Sequence, residues 1–248
     1  MTQAKPEKRP EVRQFGTLFL VPVALGDDAL MIDALPASAI ARASTLEYFI
    51  VERAKTARAF IKQLGVTKPI ADLNILELNE HSPSGWVAEL LKPILAGQDA
   101  GLMSEAGCPA VADPGADLVA AAHAAGITVV PLIGPSSIML TLMACGLNGQ
   151  RFAFEGYLPT EKSARDIALR DLELRSLQLK QTQVWIETPY RSQSMAQAAV
   201  AGLKPSTRLA FACDLTLPTE LIIMRSVDGW RKKPPALEKR LTVFALLA

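Results

Sequence analysis

The stretch Leu102 to Gly115 reads LMSEAGCPAVADPG, with two glycines and two prolines in fourteen residues. Glycine and proline also punctuate ordinary surface turns. Here, however, an apolar run leads into small residues, then Gly107, Pro109 and Asp113-Pro114-Gly115, then a helical pattern. That order marks a strand end whose main chain is brought close to something. The stretch lacks GxxxxGK[ST], so it is not a P-loop, and no GxGxxG follows the first apolar run.

Outward from this loop the chain alternates. Upstream, Thr17–Val21, Tyr48–Val51, Ile75–Leu78 and Ala100–Met103 are short continuous apolar runs, which suit strands buried on both faces. Between them, helical spacing is expected over Asp33–Ala43, broken at Pro36, over Glu52–Leu64 up to Gly65, and over Ser84–Leu95. Gly26-Asp27-Asp28 reads as a capping turn. Downstream come a helix over Leu118–Ala125 and a strand over Thr128–Leu132. β-α alternation predicts a mostly parallel sheet with helices on both faces, and ligands in such sheets sit beyond the carboxyl ends of the strands.

The second half differs. Gly134-Pro135-Ser136-Ser137 is a turn before an apolar helix, Ile138–Cys145. Strands are expected over Arg151–Gly156, Gln183–Ile186, Leu209–Cys213, Glu220–Met224 and Arg240–Leu247. Only two long helices are expected, Ser163–Lys180 and one ending near Leu203. The predicted fold class is therefore two α/β domains, the N-terminal one mostly parallel and the C-terminal one built on a mixed sheet, with a cleft between them. Residues 1–15 read as a flexible tail, 16–134 as the first domain and 135–248 as the second.

Bulk properties narrow the function. A chain of 248 residues that is 50% hydrophobic can bury one large or two moderate cores. The formal net charge is +1, so any nucleic-acid contact must be a local patch. Three scattered cysteines without a CxxC and two histidines argue against a metal site and suit a reducing, cytoplasmic compartment. The N-terminus MTQAKPEKRPEVRQ has no apolar segment of a signal peptide; its Lys5, Lys8, Arg9 and Arg13 suit a solvated tail or contact with an acidic partner. Residues 118–150 carry no Asp, Glu, Lys or Arg, but Gly126, Pro131, Gly134 and Pro135 divide them, so no membrane span is expected.

Six segments in order carry a resemblance: LFLVPVALGD (18–27), LMSEAGCPAVADPG (102–115), VVPLIGPSS (129–137), CGLNGQRFAFEGYLP (145–159), WIETPYR (185–191) and DLTLPTE (214–220). Together they resemble the tetrapyrrole methylase family, and most closely its branch that methylates a ribose 2′-hydroxyl of small-subunit ribosomal RNA. That branch reads VPTPIGN, SDAGTPxISDPG, PGPSA, FxFxGFLP, ESPHR and RELTK at these places, and EDTR near residue 52. The motifs span about four-fifths of the chain.

The resemblance implies S-adenosylmethionine as cofactor, folded into the interdomain cleft and held largely by main chain. Motif by motif, the implied contacts are Pro22 and Gly26, the run Ser104, Glu105, Ala106, Gly107 to Val111, then Ser136 and Ser137, and Tyr157 and Leu158. It also implies a homodimer, and ribosomal RNA or the small subunit as partner. Transfer to a hydroxyl needs a base as attack proceeds. Glu52, Glu187 and Asp214 lie at strand ends and are candidates, each with a plausible structural role: pairing with Arg53 or Lys55, anchoring Arg191, or capping a turn.

The departures fall mainly on the substrate side. EDTR reads Glu52-Arg53-Ala54-Lys55, the TPIGN loop loses its Thr, Tyr190 replaces a His, and Asp214 and Leu217 replace Glu and Lys. Three readings stay open: a ribosomal RNA 2′-O-methyltransferase, a methyltransferase for a tetrapyrrole-like small molecule, and a protein that binds the cofactor without turnover. The sequence stops soon after its last expected strand, so no further helical RNA domain is expected within it. Two basic segments bear on the acceptor. Trp230–Lys233 with Lys239 and Arg240 suits a phosphate site or a solvated loop, and the charged helix at 163–180 suits a solvated face with internal pairs. His81 is placed to line the cleft, and His123 is expected to be half-buried.

Overall fold

The computed structural model describes residues 15–26 and 29–248. The expected N-terminal tail and the Asp27-Asp28 part of the first turn lie outside the described residues. The chain forms two compact units. The first comprises residues up to Val21, Ser38–Glu105 and Pro109–Leu132; the second comprises Pro22–Ala37, Ala106–Cys108 and Ile133–Ala248.

The first unit is built on β1 (Thr17–Leu20), β2 (Tyr48–Val51), β3 (Asn74–Glu77), β4 (Ala100–Met103) and β5 (Thr128–Pro131). They form one sheet in the order β3-β2-β4-β1-β5, and every pairing is parallel. The central runs YFIV and AGLM are buried at every residue, as strands covered on both faces must be. On one face Leu18, Tyr48, Ile50 and Leu102 pack with Leu90, Leu91 and Ile94 of α4 (Trp86–Leu95) and with Leu118 and Ala122 of α5 (Gly115–Ala124). The other face carries Phe19, over which Arg42 of α2 (Ala37–Ala43) stands at 5.0 Å. Between β2 and β3, α3 (Ala54–Gln63) buries Ala57, Phe60 and Ile61. α5 starts at Gly115, three residues before the expected Leu118, because the Asp113 turn leads straight into it.

The second unit holds α1 (Met31–Ala34), α6 (Ser137–Ala144), β6 (Phe152–Tyr157), α7 (Lys162–Leu179), β7 (Thr182–Glu187), α8 (Pro189–Gly202), β8 (Arg208–Cys213), β9 (Leu221–Ser226), α9 (Val227–Lys232) and β10 (Thr242–Leu247). Pro36 separates α1 from α2, as a proline must that cannot continue a helix. The sheet runs β6-β7-β10-β8-β9, with β6–β7 parallel and the other pairs antiparallel, a mixed sheet. Strand alternation sorts its two faces by size. Leu209, Phe211 and Cys213 of β8 share one face with Trp185, Phe244, Met195 and Trp230, under α7, α8 and α9. Ala210 and Ala212 turn to the other face, where Leu142 and Cys145 pack. The aromatic centre is tight: Trp185 stacks on Phe244 at 5.2 Å, and Phe211 meets Trp230 at 4.7 Å.

Three sequence expectations are corrected. The basic segment at 230–233 is the end of a helix, α9, whose N-terminus Ser226 caps by accepting from the Gly229 amide at 3.1 Å. Within it Trp230 is core, donating its indole N–H to the Leu209 carbonyl at 2.8 Å. Arg231 donates to the carbonyls of Val200 and Leu203, Lys232 pairs with Asp228, and Arg240 pairs with Asp214, so most of that patch is spent on the fold. On α7, Lys162–Asp166 is an internal pair, but Arg175 reaches out to Glu155 of β6. His123 is exposed rather than half-buried, because α5 turns Leu118 and Ala122 inward instead. Among the described residues no helix is long and apolar enough to cross a membrane.

Candidate active site

In the first unit the carboxyl ends of β2 and β4 bring a carboxylate cluster together. Glu52 follows Val51 and Ser104 follows Met103, one residue past each strand. The Glu105 amide donates to Glu52 Oε2 over 3.4 Å, and Thr56 Oγ1 donates to Glu105 Oε2 at 3.1 Å. Burial pushes the Glu52 carboxyl above its ordinary value; the Glu105 amide opposes the shift, and the charges of Glu105 and Asp113 add to it. Glu52, Leu102, Ser104, Asp113 and Gly115 line a cavity of about 10 Å³, room for about one water.

Asp113 is the buttress of the loop. Its carboxylate accepts from the Ala110 amide at 2.9 and 3.0 Å and from the Gly115 amide at 2.8 Å. This matters because Ala110 and Ala112 both sit at φ 64°, the left-handed region that costs an alanine about 1–2 kcal/mol. Burial raises the Asp113 carboxyl, against the pull of those two amides. Asp113 was read from the sequence only as part of a turn. Its role was foreshadowed by the Asx pattern, an Asp whose side chain bonds the amide two residues on. Thr56 carried no comparable signal.

In the second unit the main chain crowds together at three glycines. Val23 and Gly107 form an isolated antiparallel bridge, N–H to O at 2.9 and 3.2 Å. Gly107 lies at φ 70° and faces Leu25 and the Pro135 carbonyl. A Cβ on Gly134 would stand 2.3 Å from Pro22 Cβ, and one on Gly26 would stand 2.7 Å from Leu217 Cδ1. At these places segments of the second unit pack against one another closely only because no side chain intervenes. Ser136 caps α6 through the Met139 amide. Nearby in sequence, Pro22 and Gly26 are buried, whereas Ala106 is exposed.

The other motif residues fall as follows. Tyr157 is 56% exposed at the end of β6, next to the buried Leu158. In the first unit Val111 is 48% exposed on the loop. Glu187 ends β7 with its side chain fully buried; Oε1 accepts from the Thr188 amide, and Arg191 stands 2.8 Å from Oε2 as a charge partner without an aligned hydrogen bond. Asp214 lies at φ 49°, accepting from Arg240 Nε at 2.7 Å, Thr219 Oγ1 at 3.1 Å and the Leu241 amide at 3.1 Å. Of the three candidate bases, two are thus clamped by arginines within the second unit, and Glu52 belongs to the first. His81 is exposed beside Glu80.

Two successive α/β units, a five-stranded parallel sheet followed by a five-stranded mixed one, make the tetrapyrrole-methylase fold. The crystal structure of the methyltransferase CobJ matches with a TM-score of 0.62 at 16% identity, over 94% of both chains. Uroporphyrin-III-C-methyltransferase from Thermus thermophilus matches at 0.53 and 16%, again over 94% of both. In sequence, the chain is similar to proteins named ribosomal RNA small subunit methyltransferase I. That of Xylella fastidiosa is 34% identical over 60% of this chain and 52% of its own length, and that of Escherichia coli O157:H7 is 29% identical over 84% and 68%. The resemblance carried by the six motifs is borne out in both comparisons. The chain spans between about half and two-thirds of the length of these curated relatives. No protein-family model matches the chain.

Proposed function

We propose that the chain is an S-adenosylmethionine-dependent methyltransferase acting on small-subunit ribosomal RNA, at a ribose 2′-hydroxyl. What carries the reading is the similarity to relatives of that name over as much as 84% of the chain. The cofactor, when bound, supplies an electrophilic methyl group on a sulfonium. Residues present fit it: in the second unit Tyr157 offers exposed aromatic surface suited to an adenine, and in the first unit Val111 offers exposed apolar surface. In this reading Pro22, Gly26, Ala106, Gly107, Ser136, Ser137, Tyr157 and Leu158 of the second unit, and Ser104, Glu105 and Val111 of the first, hold it. Glu105 and Glu52 place negative charge suited to a cation.

Glu52 takes the proton of the attacking hydroxyl. Its raised affinity for protons moves it toward the pH at which a general base is effective, and it lacks the arginine that holds Glu187 and Asp214. Positioning supplies most of the remaining rate. A homodimer, implied by the resemblance, and a cytoplasmic location, suited to the sparse cysteines, complete the reading. The test is methyl-labelled S-adenosylmethionine with small ribosomal subunits from cells lacking the endogenous activity. Label in the RNA, retained in an alkali-resistant dinucleotide because a 2′-O-methyl blocks alkaline cleavage of the adjacent phosphodiester, is expected. Cofactor binding with no label in any RNA sinks the reading.

A further inference from the structure

We infer that α3 is a phosphate-binding ridge, a site for an RNA backbone that leads away from Glu52. The inference takes the nature of the ligand from the methyltransferase reading, and the site itself from the helix. α3 reads AKTARAFIKQ and contains no acidic residue. Lys55, Arg58 and Lys62 recur at i, i+3 and i+7, which places them on one face over roughly 10 Å of helix. All three are exposed, and among the described residues none has a carboxylate within ion-pair reach. Arg53 directly precedes the helix, its charge felt by Glu52.

Ten of the described cations outside this helix are engaged: Lys68, Lys92, Lys162, Arg175, Arg191, Lys232 and Arg240 are each paired with a carboxylate, Arg42 and Arg225 cover aromatic rings, and Arg231 binds carbonyls. Three unpaired like charges on one short face repel one another, a cost that a bound polyanion removes. The opposite face of α3 is already buried through Ala57, Phe60 and Ile61, so no apolar side remains to enter a lipid surface. Two acids at the N-terminal end are engaged there: Glu77 caps the Ala54 amide at 2.7 Å, and Glu105 accepts from Thr56. The ridge starts beside Glu52 and runs to Lys62. This is the local patch that a net charge of +1 requires of an RNA-binding protein.

The experiment measures binding of the full chain to a fluorescently labelled fragment of small-subunit ribosomal RNA between about 50 and 200 mM salt. Lys55→Ala/Arg58→Ala/Lys62→Ala is expected to weaken binding roughly tenfold to a hundredfold at the low end. It is also expected to lower the slope of log affinity against log salt by about one per side chain. Lys92→Ala/Lys162→Ala/Lys232→Ala, which removes three paired lysines, leaves the slope unchanged, and both triples keep the wild-type affinity for S-adenosylmethionine. An unchanged slope in the first triple overturns the ridge. So does absence of RNA binding by the wild type, including the case where it binds anionic vesicles or polyglutamate instead. Label transfer to RNA with an unchanged slope sinks the ridge and leaves the methyltransferase reading standing. A lowered slope without any label transfer supports the ridge and sinks that reading.

Discussion

Arg240 donates from Nε to the Asp214 carboxylate at 2.7 Å, and the same carboxylate accepts from the Leu241 amide and Thr219. An acid so held is committed to joining the loop after β8 to the start of β10. Asp214→Ala should cost about 1–3 kcal/mol of stability, since it strands a half-buried guanidinium and an amide. Methyl transfer per folded molecule should stay within a few-fold of wild type. Glu52→Gln should do the reverse: a small change in melting temperature and a loss of transfer of roughly 10²–10⁴. Urea denaturation and a label-transfer assay on both variants check the pair, and equal losses of transfer would remove Glu52 from its role.

The same carboxyl predicts a pH dependence. Burial raises Glu52 in the fold, so its stabilising contribution is complete below its ordinary value of 4.5 and is lost as pH rises through the raised folded value. Glutamine does not titrate. Relative to wild type, Glu52→Gln should therefore gain melting temperature between about pH 4 and pH 7. A difference that does not change over that range contradicts the burial argument.

Asp113 holds two amides and steadies two alanines in left-handed backbone. Asp113→Ala should lower stability by about 1–3 kcal/mol. Titration calorimetry should show weaker S-adenosylmethionine binding if the loop contacts the cofactor. Ala110→Gly in the same variant should recover part of the stability, because glycine adopts the left-handed region without penalty.

Gly134 lies where a Cβ would come within 2.3 Å of Pro22 Cβ. Gly134→Ala should cost about 1–3 kcal/mol through overpacking. Gly149, where a Cβ meets nothing within 4 Å, serves as the control, and Gly149→Ala should change the melting temperature little.

Much of the fold was legible because its signals are local. Runs such as YFIV and AGLM are apolar throughout only if both faces are covered, and after YFIV the continuous apolar run gives way to helical spacing over Glu52–Leu64 within a few residues. Pro36 and Gly65 mark helix boundaries by backbone chemistry alone. α9 was not legible: VDGWRK is six residues long, and two of its side chains, Trp230 and Arg231, find partners 21 to 31 residues away in the Leu209, Val200 and Leu203 carbonyls. A short helix stabilised by distant carbonyls has no local pattern to read.

By itself the sequence determined two α/β units, their parallel and mixed sheets, and the resemblance to the tetrapyrrole methylases, because periodicity and ordered motifs are properties of the chain as written. It could not rank Glu52, Glu187 and Asp214, which all stand at strand ends. Only the tertiary structure gives them different settings, closing an arginine on two of them and half-burying the third beside Glu105. The loop at 102–115 shows the same division. Its glycines announced a close approach in the sequence, but that Asp113 props Ala110 and Ala112 in left-handed backbone is decided by three-dimensional hydrogen bonding. Ion pairs and desolvation depend on distance in space, which residue order alone does not encode.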